Sequence, residues 1–295
     1  MWKLGPNTKS YGYTETVGLL RMESHDWGQM NITLGPLTTR LKGEASWGDR
    51  YPAWQVYADE CERLLQFLQT HNQLDRYWPR LIAKRQQRDE ALNEMRVAWF
   101  LESLGYSVSD WEPTDAPGFK VEFAVNTGPH QKAFVEVKSP GWESELTEAE
   151  RKNGRTKPPK YIDMEGRAAG PIQLIQRTVA KAGPKFTGKS PPSLIIVSDD
   201  CFVNLGDWGW GPLQIALTQN SIAWGEGLFC QFRYNHVGAV GLFWLGQGAQ
   251  YRSICIANPN AILTATLPSD MVAKLTTTPM EPALHSPRQG TIVVP

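Results

Sequence analysis

The stretch Phe119–Ser139, FKVEFAVNTGPHQKAFVEVKS, contains two apolar segments separated by a cluster of turn-forming residues. The segments Phe119–Val125 and Ala133–Val137 are rich in β-branched and aromatic side chains, and Asn126-Thr127-Gly128-Pro129 lies between them. This pattern predicts two strands joined into a β-hairpin. The hairpin is therefore the first element of a predicted sheet.

Three charged residues interrupt the apolar pattern of this hairpin. Glu136 and Lys138 are two residues apart, so on a strand they share one face while Val135 and Val137 point to the other. The hairpin also brings Glu122 beside Glu136. Charges on a core strand are costly unless they are paired, solvated in a cleft or bound to a metal. The alternative is an ordinary ion pair on an exposed edge strand, which contributes only about 0–1 kcal/mol.

A divalent cation is one explanation for this group of charges. Two neighbouring carboxylates raise each other's pKa unless a cation lies between them, and such oxygen ligands suit Mg²⁺ or Mn²⁺. Lys138 is then placed to position or deprotonate a water molecule and to stabilise charge on a phosphate. We therefore predict metal ligation by Glu122, Glu136 and the Val137 carbonyl, with a catalytic role for Lys138.

Upstream of the hairpin the sequence predicts two helices and a strand. Apolar residues recur at spacings of three and four in Ala53–Thr70, and the longest helical pattern covers Leu81–Leu104, with Gly105 as its stop. A short alternating strand follows at Tyr106–Ser109. The order of elements up to Val137 is thus helix, helix, strand and hairpin.

Downstream of the hairpin the pattern indicates a crossover to a buried strand. Ser139–Tyr161 is polar and predicts a loop, Ile172–Lys181 has helical spacing, and Ser193–Ser198 is a continuous apolar run. Such a run is typical of a strand that is covered on both faces. We expect the helix to connect the hairpin to this central strand.

The last third of the chain predicts further sheet elements. A Trp/Gly-rich loop is expected at Gly206–Gly211 and a short helix at Leu213–Gln219, followed by strands at Val237–Leu245 and Tyr251–Ala257. The stretch after Pro268 is rich in Thr and Pro, which predicts poor order.

The predicted domain organisation has three parts. Residues 1–50 form an irregular N-terminal extension, with short strands near Val17–Met22 and Met30–Leu34. Residues 51–265 form one α/β domain with its motif core at 81–200, and residues 266–295 form a tail.

Composition sets limits on location and partners. The 295 residues contain 30 Lys+Arg and 30 Asp+Glu, so nucleic-acid binding would need a local basic face. The four cysteines are dispersed and mostly lie in apolar runs, which is typical of free thiols in a reducing compartment. No apolar segment has the length of a membrane span. We expect a cytoplasmic protein without a membrane partner.

Over roughly Leu81–Ala261 the order of elements resembles the PD-(D/E)xK nuclease superfamily. The shared features are a helix bearing a Glu, a hairpin with an acidic residue followed by Glu-x-Lys, a crossover helix with polar residues, and an apolar strand. The resemblance implies a restriction-endonuclease-like core with a mixed central β-sheet flanked by helices. It also implies that Glu94 of the first helix joins Glu122, Glu136 and Lys138 in the site, with Glu90 as a rival for Glu94.

The resemblance extends to residues that would contact the substrate. Gln173 and Gln176 match positions where members often place polar side chains that face the site. Among nearby basic residues, Arg177 and Lys181 are predicted phosphate contacts, within a set completed by Lys185 and Lys189. One departure is that Val121-Glu122 stands where the superfamily usually has Pro-Asp.

These features predict a Mg²⁺- or Mn²⁺-dependent phosphodiesterase, an endonuclease for which DNA is favoured as the substrate while RNA stays open. A homodimer or a protein partner stays open. The main alternative is a nuclease fold with a decayed site that binds nucleic acid or protein within a defence or mobile-element system. A third interpretation is a structural α/β protein in which the motif is accidental.

Overall fold

The computed structural model describes residues 34–45, 54–83, 85–139, 169–187, 189, 191–199, 205–220, 225–245 and 251–277. Within these ranges the chain forms a mixed α/β structure around one six-stranded sheet. Several predicted segments lie outside the described residues: the strand near Val17–Met22, nearly all of Met30–Leu34, the loop after Ser139, and the chain after Thr277.

The sheet has the strand order β1-β2-β3-β4-β5-β6. The strands are β1 Val108–Trp111, β2 Phe123–Gly128, β3 Gln131–Lys138, β4 Ser193–Asp199, β5 Ala239–Leu245 and β6 Tyr251–Ala257. Strands β3, β4 and β5 run parallel, whereas β1, β2 and β6 pair antiparallel with their neighbours. The sheet is therefore mixed, with a parallel centre.

Helices cover both faces of the sheet. They are α1 Pro36–Glu44, α2 Trp54–Thr70, α3 Leu74–Ile82, α4 Arg85–Ser103, α5 Ala169–Ala182, α6 Leu205–Thr218 and α7 Ser269–Thr277. One core contains α1 to α4, α7 and the side chains of Val135 and Val137; the other contains α5, α6, Ile195 and Val197. The alternation along β3 therefore places Glu136 and Lys138 on the α5 face of the sheet.

The predicted hairpin and crossover are confirmed. β2 pairs with β3 in antiparallel register, and α5 connects β3 to the parallel strand β4, whose residues Leu194–Val197 are at most 3% exposed. β2 begins at Phe123, later than the predicted start at Phe119, although the Glu112 amide still donates to the Glu122 carbonyl. Glu122 is thus the residue immediately before the strand.

The predicted irregular extension contains a helix, α1, within its described part. The Glu62 carboxylate accepts hydrogen bonds from the Thr38 backbone amide at 2.8 Å and its hydroxyl at 2.9 Å. This acceptor satisfies a free amide of the first helical turn, and Leu41 packs into the core. Local sequence does not show a cap supplied from another helix.

The predicted poor order after Pro268 is also corrected, since α7 occupies Ser269–Thr277. Met271 and Leu275 are buried, and the Ser253 hydroxyl of β6 donates to the Leu275 carbonyl at 2.6 Å. Tyr106 adds a hydrogen bond to Asp270 at 3.0 Å. Contacts with distant residues therefore order a segment whose composition suggested the opposite.

Two further predictions about helices change. The expected Trp/Gly-rich loop lies inside α6, because Leu213, Ala216 and Leu217 bury one side of a longer helix in the second core. The long helix expected from Leu81 begins at Arg85 as α4; a separate helix, α3, ends at Ile82 and buries Tyr77, Trp78 and Leu81. No helix in the described part of the chain is long and apolar enough to cross a membrane.

Candidate active site

The end of the hairpin brings Glu122 and Glu136 together. Phe123 of β2 is directly opposite Val135 of β3 in the antiparallel pair. Glu122, which precedes Phe123, therefore faces Glu136, which follows Val135. Lys138, two residues further along β3, contacts Glu136 Oε1, and its Nζ lies 3.8 Å from Glu122 Oε1. The structure therefore gathers the three charged residues that the sequence singled out.

Glu136 is fully buried, with 0% of its side chain exposed. Its Oε2 has no hydrogen-bond partner among the described residues. A buried carboxylate oxygen without a partner is costly, and in native proteins it calls for an ion or water molecule at that position.

A second ammonium group, that of Lys185, approaches the same carboxylates from the far end of α5. Its Nζ lies 2.6 Å from Glu136 Oε1 and 3.8 Å from Glu122 Oε1. The sequence suggested Lys185 only as one of several phosphate contacts, because its position depends on how the chain turns after α5. No local signal could have placed it at Glu136.

The turn that carries Lys185 is tied to the loop before β2. Asp115 accepts hydrogen bonds from the Thr187 backbone amide at 2.6 Å and the Thr187 hydroxyl at 2.9 Å. The Ala116 amide donates to the Lys185 carbonyl at 3.3 Å. We call these hydrogen bonds, from Thr187 to Asp115 and from Ala116 to Lys185, the strap. The strap fixes Gly183–Lys185, a single turn of 3₁₀-helix, and so the backbone from which the Lys185 side chain extends.

Burial and neighbouring charges shift the pKa of Glu122 and of Lys138. Burial, followed by the charges of Glu94 and Glu136, raises the pKa of Glu122 to about 8, and the nearby lysines oppose the shift. Burial acts to lower the pKa of Lys138, but the neighbouring charge of Glu136 outweighs it and the pKa is raised. In the absence of a metal, Glu122 therefore holds its proton near neutral pH.

Glu94 lies close to the carboxylate pair but has its own partner. Glu94 is 5% exposed. Its two carboxylate oxygens accept hydrogen bonds from the two terminal nitrogens of Arg80, each at 2.6 Å. The hydrogen bonds to Glu94 raise the pKa of Arg80, although burial acts to lower it. The structure thus assigns Glu94 to an ion pair between α4 and α3, while its charge is still felt by Glu122.

A polar cleft of about 440 Å³ opens beside these residues. Glu90, Glu94, Glu122, Val137 and Lys138 contribute to its wall. The Val137 residue is thus adjacent to the space in which its carbonyl was predicted to ligate a metal.

One wall residue of the cleft, Glu112, has left-handed backbone, with φ 54°. Its carboxylate pairs with Arg76 at 2.9 Å and with Lys120 at 3.1 Å. Non-glycine residues in this region cost energy and concentrate at functional sites.

The predicted substrate contacts on α5 lie elsewhere. Gln173, Arg177 and Lys181 are exposed and do not line the cleft. The Gln176 amide donates to the Ala216 carbonyl of α6 at 3.5 Å. Contact of these four residues with a nucleic acid stays a prediction, and it requires a nucleic acid that extends beyond the cleft.

The donor set is compatible with a magnesium ion. No group of three or more His, Cys, Asp or Glu side chains in the described ranges is arranged to hold a metal. Mg²⁺, however, is usually bound through one or two carboxylates, with water and substrate oxygens completing its octahedron. Glu122 and Glu136 supply two carboxylates, and the unpartnered Oε2 of Glu136 is the observation that fits a cation.

Comparisons of the chain with protein-family models, curated proteins and solved structures find no match.

Proposed function

We propose that this protein is a metal-dependent nuclease that hydrolyses phosphodiesters in DNA, with a restriction-endonuclease-like core. The observation that carries the proposal is the buried Glu136 carboxylate, which has an unpartnered oxygen and lies beside Glu122 and Lys138 at a polar cleft. Structural ion pairs seldom leave a buried carboxylate oxygen without a partner.

Each residue of the site has a definite role in the proposal. Glu122, Glu136 and the Val137 carbonyl would hold Mg²⁺ or Mn²⁺, which would polarise the phosphate and lower the pKa of a water molecule. Lys138 orients the attacking water and neutralises charge that develops on the phosphate. Glu94 keeps Arg80 in place through the paired hydrogen bonds and contributes negative potential at Glu122.

The test is cleavage of labelled DNA and RNA with Mg²⁺ by matched variants. Glu136→Gln and Lys138→Met should each lower the rate at least about 100-fold, the usual loss when a preorganised charge is removed. Lys132→Met is the control, because Lys132 is an exposed lysine of the same strand. Full activity in both site variants would refute the assignment of the site. Cleavage of RNA but not of DNA would mean that the substrate is RNA.

A decayed site that only binds nucleic acid or protein is the second candidate. Two lysine side chains already neutralise Glu136, and Arg80 already neutralises Glu94, as expected if no cation binds. The chain also has no net charge to attract DNA. Calorimetry distinguishes the two candidates: a decayed site should bind neither Mg²⁺ nor Mn²⁺ in a manner that depends on Glu136.

A further inference from the structure

Lys185 has the position of a cation that bridges the carboxylate pair. Its Nζ reaches Oε1 of both Glu136 and Glu122, at 2.6 and 3.8 Å. Lys138 makes the same pair of contacts from within β3. Two ammonium groups therefore meet at one oxygen of a fully buried carboxylate, where their positive charges repel each other.

A divalent cation at Glu136 would add a third positive centre to this space. The repulsion is relieved when one ammonium group moves away. Lys138 is fixed by its strand and lines the cleft, whereas Lys185 extends from a single 3₁₀ turn and is absent from the cleft wall. Both stems reach solvent, with 30% of the Lys138 side chain and 20% of the Lys185 side chain exposed. Because Lys138 acts beside the attacking water in the proposed function, Lys185 is the group expected to move away.

We propose that Lys185 is an internal counter-ion that competes with the divalent cation for Glu136. The ion pair neutralises Glu136 in the metal-free protein, and metal binding and this ion pair exclude each other. The loop residue Asp115 is a positioning residue, because its hydrogen bonds to Thr187 hold the turn that carries Lys185. The proposal rests on the metal site of the proposed function.

The test is a calorimetric titration of the full chain with Mn²⁺. Lys185→Met keeps the length of the side chain and removes its charge, so Mn²⁺ should bind about tenfold more tightly or better than to the wild type. Lys132→Met is the control, since Lys132 is an exposed lysine of β3 that does not line the cleft, and the Mn²⁺ affinity of this variant should not change. Equal or weaker binding by Lys185→Met overturns the proposal.

A second variant covers the case in which Lys185→Met does not fold. Asp115→Asn weakens the strap without removing the lysine, and it should shift Mn²⁺ affinity in the same direction by a smaller factor. A strap that is merely structural would lower the melting temperature and leave the affinity unchanged, and this result also overturns the proposal.

A metal-free measurement separates the failure of this proposal from failure of the nuclease assignment. In EDTA, Lys185→Met should lower the melting temperature, and the loss should shrink when Glu136→Gln is also present. If the wild type binds Mn²⁺ and Lys185→Met does not improve binding, only the competition is refuted. If neither protein binds Mn²⁺ although the two residues are coupled in EDTA, Lys185 is a permanent counter-ion and both proposals fail.

Discussion

At the scale of single residues, Glu122 controls the response of the site to pH. Burial and the charges of Glu94 and Glu136 raise its pKa from the usual 4.5 to about 8. Below about pH 4.5 the folded and unfolded chains both carry the proton. Between the two values only the folded chain keeps it, so this group's contribution to stability falls as pH rises and levels off above about pH 8.

Glu122→Gln should remove this pH dependence. The free energy of unfolding of the metal-free wild type should fall, relative to the variant, by up to about 1.4 kcal/mol for each pH unit between the unfolded and folded pKa values. Urea unfolding in EDTA at a series of pH values measures the difference. Parallel pH profiles of the two proteins would mean that folding does not raise the pKa of Glu122.

The residues that sequence could and could not place differ in how local their geometry is. Strand alternation was enough to put Glu136 and Lys138 on one face, and hairpin pairing was enough to add Glu122. The place of Lys185 beside Glu136 was not predicted, because it depends on the hydrogen bonds between Thr187 and the distant Asp115. The ion pair of Glu94 with Arg80 was not predicted, because Arg80 lies on α3, a helix that the apolar pattern did not predict.

At the scale of elements, the strap between the loop before β2 and the turn after α5 organises the site. Asp115→Ala removes the acceptor of two hydrogen bonds and should lower the free energy of unfolding by about 1–3 kcal/mol. Chemical denaturation measures this loss. Asp110→Ala, at an exposed position of β1, is the control. No loss at Asp115 would mean that other contacts hold the turn.

Helix α7 gives the clearest test of an element that composition failed to predict. Met271 is fully buried, so Met271→Ala should cost about 2–5 kcal/mol of unfolding free energy. Ala273→Ser, at an exposed position of the same helix, should change it by much less. Equal stabilities of the two variants would indicate that α7 is not packed in solution.

The elements predicted well are those whose apolar pattern is regular over their own length, such as α2, β3, β4 and β6. Those that were missed depend on distant partners. Glu62 caps α1, and residues of β6 contact α7 through hydrogen bonds. Amphipathic spacing cannot reveal such contacts because they join residues far apart in the chain.

At the scale of the whole molecule, a buried polar cluster joins the N-terminal helices to the last strand. Arg96 of α4 donates to both oxygens of Glu60 of α2 at 2.9 and 3.0 Å, and the Tyr251 hydroxyl of β6 also donates to Glu60. Glu60 and Arg96 are 3% and 7% exposed. The cluster fixes helix and sheet layers relative to each other, and none of its three residues lines the cleft.

Breaking this cluster should destabilise the fold without changing metal affinity. Glu60→Ala leaves Arg96 without its carboxylate and should cost about 3–5 kcal/mol. Tyr251→Phe removes a single hydrogen bond and should cost about 1–3 kcal/mol. Thermal unfolding and Mn²⁺ titration of both variants check the two expectations. A cost for Glu60→Ala below that of Tyr251→Phe would contradict the central position given to Glu60.

The mixed α/β class was predictable because the hairpin and the crossover both follow from local pattern. The proposed activity depends on finer geometry, namely the exchange of a divalent cation for Lys185 at the buried carboxylates. Neutral overall charge makes this local exchange more important than any long-range attraction of DNA.

The most direct measurement is the anomalous scattering of crystals grown with Mn²⁺. We predict one manganese ion bound to the carboxylates of Glu122 and Glu136 and to the Val137 carbonyl, with Lys185 withdrawn from Glu136. If crystals grown with saturating Mn²⁺ showed no ion at these residues, and both lysines still contacted Glu136, the result would contradict the account.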